Sequence, residues 1–159
     1  MAIDRVREYM KQFGKEQDIR EFSQSSATVE LAAQAVGVEA ARIAKTLSFY
    51  GTEEDSCIMV VTAGDQKIDN KKFKQYFGMK AKMLKGEDVE RLTGHGIGGV
   101  CPFVNPEHTE VYLDTSMKRF ETVFPAAGSA NSAIELTCEE LFDYSRAKEW
   151  MDVCKNIGD

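Results

Sequence analysis

Two runs of strand-forming residues dominate the middle of the chain. Ile43-Ala44-Lys45-Thr46-Leu47-Ser48-Phe49-Tyr50 is followed, after Gly51 and an acidic turn, by Cys57-Ile58-Met59-Val60-Val61, which ends at Ala63-Gly64. β-Branched and aromatic side chains suit a pleated surface, and two such runs around a polar turn predict an antiparallel hairpin. An isolated hairpin is marginal in water, so the remaining chain must add strands and cover them.

Further short strands are expected at Val111-Tyr112-Leu113, at Thr122-Val123-Phe124 and at Ala133-Ile134-Glu135-Leu136. Helical patterns flank them. Ile3, Val6, Met10 and Phe13 repeat at helical spacing and Gly14 stops the pattern. A second helix is expected from about Thr28, with Val29, Leu31, Ala32, Ala35 and Val36 apolar and Gly37 as C-cap. Asn70 to Phe77 places Phe73, Tyr76 and Phe77 on one side, and Glu87 to Leu92 reads as a short helix ending at Gly94. Thr137 and Glu140 have the spacing of a capping box ahead of Leu141 and Phe142, and the last helical pattern is expected to run to about Cys154. Strands in the middle with helices at both ends predict an α+β domain. At 159 residues, with no Pro/Ser linker and no internal repeat, the expectation is one domain over residues 1–159.

Composition narrows the class. Hydrophobic residues make up 43% and charged residues 29%, which excludes a disordered or collagen-like chain. No apolar run approaches the ~20 residues that span a bilayer, and Met1 to Gly14 is charged and helix-patterned rather than signal-like. A cytoplasmic protein without membrane contact is expected. Cysteines 57, 101, 138 and 154 form no Cys-x-x-Cys pair, which suits reduced thiols. With only His95 and His108 beside them, no metal site and no cofactor are expected.

Three segments carry candidate chemistry. Gly94-His95-Gly96-Ile97-Gly98-Gly99-Val100-Cys101-Pro102-Phe103 holds four glycines in six residues, which frees the backbone and lets another molecule approach it. Exposed N–H groups there can bind an anion or stabilise an oxyanion, although a flexible connection explains the glycines equally well. The spacing matches neither the phosphate loop nor the dinucleotide fingerprint. Lys45 lies inside a strand; it is either a solvated strand residue or a point charge for a carbonyl or phosphate. Ala126-Ala127-Gly128-Ser129-Ala130-Asn131-Ser132 is either a ligand-lining turn or a plain one.

Ala44-Lys45-Thr46-Leu47, the loop from Thr93-Gly94 to Pro102-Phe103, and the small-residue turn leading into Ile134-Glu135-Leu136 together resemble the YbaK/EbsC family. That family is similar to the editing domain inserted in bacterial prolyl-tRNA synthetases. The resemblance implies a central mixed, mostly antiparallel, barrel-like sheet flanked by helices. It also implies an aminoacyl-tRNA deacylase acting in trans on mischarged tRNA, with a synthetase as a further partner and no DNA. The family lysine maps to Lys45, followed by Thr46 as in relatives. The family's Gly-x-x-x-Pro loop maps to Gly98-Gly99-Val100-Cys101-Pro102, whose amides would hold the scissile carbonyl. The implied pocket also takes in Phe22, His95, Ala126, Gly128, Ser129, Asn131 and Ala133. Phe22, Ala126 and Ala133 stand where cysteine-specific relatives carry a tyrosine, a serine and an aspartate, so specificity for cysteine on tRNA-Pro does not transfer automatically.

Two rival readings remain. Cys101 with His95 or His108 could form an activated nucleophile, and the same groove could bind an aminoacyl or nucleotide group without turnover. The net charge of -6 opposes a broad RNA-binding surface. Its distribution is uneven, however: Lys67 to Lys85 holds seven lysines and one acid, +6 in all, which leaves -12 elsewhere. Lys71, Lys72 and Lys74 are the expected tRNA-contact patch, against the plain alternative of a solvated helix face.

Overall fold

The computed structural model describes residues 2–159. The hairpin forms as expected: β2 (Ile43–Tyr50) and β3 (Cys57–Ala63) pair antiparallel from Ala44↔Ala63 to Tyr50↔Cys57. Around it grows a six-stranded sheet in the order β8-β6-β2-β3-β5-β9. Here β5 is Thr109–Asp114, β6 Thr122–Pro125, β8 Leu136–Thr137 and β9 Glu149–Met151. β2–β6, β3–β5 and β5–β9 are parallel, whereas β6–β8 is antiparallel. Two antiparallel ribbons complete the strands: β1 (Ile19–Glu21) with β7 (Ser132–Ile134), and β4 (Gln66–Ile68) with β10 (Cys154–Asn156). The sheet is mixed and curled. Antiparallel pairs predominate only when both ribbons are counted, four of the seven ladders among the described residues.

The strand period of two splits β2 and β3 between two faces. Ala44, Met59, Val61 and Ala63 point into the main core, where Ile3, Val6 and Met10 of α1 (Ala2–Met10) join Leu113, Val123, Ile134 and Leu141. Phe49, Ile58 and Val60 point the other way, against Phe73 of α3 (Asn70–Phe77) and against Val153 and Cys154. On that second face, Ile43 and Phe124 pack with Ala32 of α2 (Val29–Val36) as a separate small cluster. Lys45 therefore stands on β2 between two apolar clusters, with Thr62 as its cross-strand neighbour.

Helix ends follow the sequence. Thr28 caps α2 by accepting from the Leu31 N–H, Asp69 caps α3, and Gly94 ends α4 (Gly86–Thr93) in a left-handed conformation. The Thr137/Glu140 capping box forms at the start of α5 (Cys138–Tyr144). The expectation of helix to Cys154 is corrected: α5 stops at Tyr144, Arg146 takes φ +55°, and the chain then runs extended as β9 and β10. Edge pairing with β5 and β4 outweighs the helical pattern there, as tertiary context commonly does. The expected strand at 133–136 is likewise divided at Glu135, its halves pairing with β1 and β6. No helix among the described residues is long and apolar enough to cross a membrane.

Candidate active site

One stretch of strand edge is left open in the middle of the sheet. On that side of β2, β6 pairs only with Ile43 and Ala44, because Pro125 has no N–H with which to carry the ladder on. Further along, Leu84 N–H donates to Ser48 C=O, and Tyr50 N–H donates to Lys82 C=O. Ser48 and Tyr50 thus direct their backbone groups to this edge, and alternation along a strand gives Thr46 the same direction. The open edge at Lys45–Leu47 floors a cavity of about 320 Å³.

Three elements wall it. The start of α2 brings Ser26 to Val29 and Ala32; the glycine loop brings Gly98 and Val100; the stretch from β6 to β7 brings Phe124, Ala126, Ser132 and Ala133. Lys45 is the one ionisable side chain in that wall among the described residues. Burial pushes its ammonium below the ordinary lysine pKa, partly offset by the Cys154 thiol, Glu30 and Asp65. Its ammonium makes no hydrogen bond or ion pair among the described residues. The N–H groups of Gly98 and Val100 are also without a protein partner among those residues.

The glycine loop is held from behind. A Cβ at Gly99 would lie 2.9 Å from the Ser129 Cα, so the loop rests backbone to backbone on the small-residue turn. Gly99 N–H donates to Gly96 C=O at 3.0 Å, closing a tight turn. Gly128 has φ +102°, and a Cβ there would meet the Ala2 and Ile3 backbone at 3.0 Å. Asn131 Nδ2 donates to Phe22 C=O, and Phe22 N–H donates back to Asn131 C=O. Ser129 Oγ donates to Asn131 Oδ1 at 2.8 Å.

Only some of the residues expected at the substrate line this cavity. Lys45, Thr46, Gly98, Val100, Ala126 and Ala133 meet at the cavity. Phe22, Gly99, Gly128, Ser129 and Asn131 lie outside its wall and frame it instead. Gly99 cannot offer an amide to a carbonyl, because Gly96 already holds it. Pro102 is buried behind the loop.

His95 and Cys101 are both fully buried. His95 Nε2 lies 2.7 Å from Phe103 C=O, so this nitrogen carries the proton and donates. Cys101 Sγ is 3.4 Å from that same nitrogen, while the bare lone pair is on Nδ1, which has no partner. The imidazole therefore has no lone pair with which to take the thiol proton. Burial pushes the Cys101 thiol up to about 12, the opposite of an activated nucleophile. Burial lowers the His95 pKa, and the Phe103 carbonyl opposes that shift. His108, the other candidate base, is exposed at a turn.

The sequence reading missed the part of the wall formed by Ser26–Val29 and Ala32. Thr28 was legible as a helix cap, but nothing local says which strand edge that helix end covers. In the lysine patch, Lys71 and Lys74 are exposed as expected. Lys72 is not free: its ammonium donates to Asp152 and to Cys154 C=O, both at 2.9 Å, and so ties α3 to β10. No cluster of three or more His, Cys, Asp or Glu suited to a metal ion occurs among the described residues.

A small, mostly apolar cavity with one ammonium and two unpaired amides has the make-up of a small-ligand site. The chain belongs to the aminoacyl-tRNA editing domain family, whose model matches residues 23–144. It is 57% identical to the uncharacterized protein YwhH of Bacillus subtilis, over 98% of this chain and 99% of that one. It is 28% identical to EbsC of Enterococcus faecalis, provisionally named a Cys-tRNA(Pro)/Cys-tRNA(Cys) deacylase, over 80% of this chain and 77% of EbsC. A crystal structure provisionally described as a trans-editing enzyme for prolyl tRNA synthetase superposes with TM-score 0.85 at 28% identity, covering 98% of each chain. The resemblance to YbaK/EbsC proteins and the α+β fold it implied are both borne out.

Proposed function

We propose that this chain, as one domain over residues 1–159, is a trans-acting aminoacyl-tRNA deacylase. It hydrolyses the ester between a wrongly attached amino acid and the terminal ribose of a tRNA in the cytoplasm, with a synthetase able to deliver the substrate. The observation that carries this reading is the convergence of Lys45 with the free amides of Gly98 and Val100 on one small cavity. Family membership and the activity ascribed to EbsC support it.

Hydrolysis adds the oxygen of water to the ester carbonyl carbon and breaks the bond from that carbon to the ribose oxygen. Negative charge develops on the carbonyl oxygen between the two steps. The unpaired Gly98 and Val100 amides are the donors the cavity wall offers to that charge. Lys45, a point charge on a flexible stem, orients the aminoacyl-adenosine end. Among the described residues, no carboxylate or imidazole lines the cavity to accept the proton of water. The resemblance to the YbaK/EbsC family implies substrate assistance, in which the vicinal ribose hydroxyl relays that proton to the leaving ribose oxygen.

Val29, Ala32, Ile43, Phe124, Ala126 and Ala133 make an apolar acyl pocket. It suits a small amino acid such as alanine or cysteine on tRNA-Pro. Discrimination between them is weak, since one methylene is worth only ~1–3 kcal/mol. The test is a panel of mischarged tRNAs, begun with alanyl-, seryl- and cysteinyl-tRNA. Release of amino acid above the buffer rate, slowed strongly by Lys45→Ala, is expected. A panel with no acceleration anywhere leaves only a binding module.

A further inference from the structure

Lys67 and Lys155 stand directly opposite each other in the β4–β10 ribbon. Directly opposed side chains in an antiparallel pair have Cβ atoms ~5 Å apart, and like charges there destabilise the pairing. Neither ammonium has an ion-pair partner among the described residues. The carboxylates nearby make their hydrogen bonds and ion pairs to other groups, and Asp69 acts on Lys155 only through its field. Asp69 caps α3 through the Lys71 and Lys72 N–H groups, Asp152 holds Lys72, and Asp65 holds Arg119. Two lysines opposed across a ladder with no ion pair of their own are a local conflict, only partly relieved by the field of Asp69 on Lys155, and such conflicts concentrate at functional surfaces.

The location gives the conflict a meaning. Ile68 and Cys154 turn one side of the ribbon onto the sheet, so Lys67 and Lys155 face away from it. The covered side of the ribbon lies beside the site: Lys45 is paired across strands with Thr62, and its ammonium lies within electrostatic reach of the Cys154 thiol. The residue after Cys154 is Lys155. On the same side of the sheet, α3 adds the exposed Lys71 and Lys74.

We infer that the β4–β10 ribbon is a docking surface for the sugar-phosphate backbone of the tRNA acceptor arm, with Lys67 and Lys155 gripping phosphates while the terminal aminoacyl-adenosine enters the cavity at Lys45. The inference rests on the deacylase reading for the identity of the RNA, and it extends the lysine surface beyond α3 to the C-terminal strand. Bound phosphate removes the repulsion between the two ammonium groups, so RNA binding and ribbon stability are coupled.

The experiment measures affinity for full-length uncharged tRNA by fluorescence anisotropy between 50 and 200 mM salt. The wild-type chain is compared with Lys67→Gln, Lys155→Gln and the double variant, with Lys155→Glu as the charge reversal. Each neutralisation is expected to lower the slope of log affinity against log salt by about 1, whatever the tRNA sequence. Vesicles of anionic lipid serve as the competing polyanion and are expected not to bind. An unchanged slope in the folded double variant overturns the inference, as does vesicle binding that depends on the same lysines in place of tRNA binding. Hydrolysis of mischarged tRNA by the wild type is scored separately. Turnover with an unchanged slope in the variants removes the ribbon and keeps the deacylase. A lowered slope without turnover on any mischarged tRNA removes the deacylase and keeps the ribbon.

Discussion

Gly99 and Ser129 touch backbone to backbone: a Cβ on Gly99 would lie 2.9 Å from the Ser129 Cα. This contact sets the height of the glycine loop above β2, and so the position of the Gly98 and Val100 amides. Gly99→Ala must lift the loop or displace the turn. A displacement of ~1 Å at a catalytic group can reduce turnover by about 100-fold. Gly96→Ala is the control, because a Cβ there meets nothing within 4 Å. Deacylation rates are expected to fall by at least ~10-fold in the first variant and to stay within about 2-fold in the second.

In the proposed deacylase, Lys45 ties activity to an unfavourable burial. Lys45→Met is expected to lower kcat/KM for mischarged tRNA by ~100-fold, the scale on which a single preorganised electrostatic group acts. The same variant is expected to melt at a higher temperature, because it removes a half-buried ammonium that has no ion-pair partner among the described residues. The lowered pKa also places an upper limit on the pH range. Enzymatic hydrolysis, corrected for the buffer rate, should decline with rising pH at a point below the ordinary 10.5 of lysine.

His95 predicts acid sensitivity of a defined sign. Its pKa is lowered in the folded chain from an ordinary 6.5, chiefly by burial. Between the folded and unfolded values the unfolded chain holds more protons, so stability rises with pH there. The contribution is complete above about pH 6.5 and is lost as pH falls through that window, at up to ~1.4 kcal/mol per pH unit. Melting temperatures from pH 7.5 to 5 should show this decline, and His95→Gln should flatten it.

Cys101 is part of the main core. Cys101→Ala is expected to cost about 1–2 kcal/mol, as for a small buried apolar side chain. Deacylation should remain within about 3-fold of wild type. The native thiol, raised to about 12 and fully buried, should resist iodoacetamide until the chain is unfolded. Complete loss of activity in a folded Cys101→Ala protein would restore the cysteine-nucleophile reading.

Much of the architecture was legible from local patterns. The β2–β3 hairpin, the Thr28 and Thr137 caps and the Gly37 and Gly94 stops lie where residue types require them. Those signals act within one turn of helix or one strand, so a sequence displays them directly. The short strands β1, β4, β9 and β10 were not legible. At three residues each they have no period of their own and exist because a distant partner pairs with them. Lys45 and the glycine loop were recognisable as candidates. Their meeting was not, since the loop lies some fifty residues away along the chain.

The sequence by itself determined the parts: an α+β chain, a lysine in a strand, a loop that glycine alone can shape, and a family resemblance. Only the tertiary structure decided which parts line the cavity. It turned His95 and Cys101 inward, because desolvation favours a neutral pair packed in the core. It used the Gly99 amide to close a turn on Gly96 and left those of Gly98 and Val100 free. It also opened one stretch of β2 edge, because Pro125 ends a ladder that begins some eighty residues away from it in the chain. Local chemistry sets what each residue can do; long-range pairing and burial set which of them stand together at the cavity.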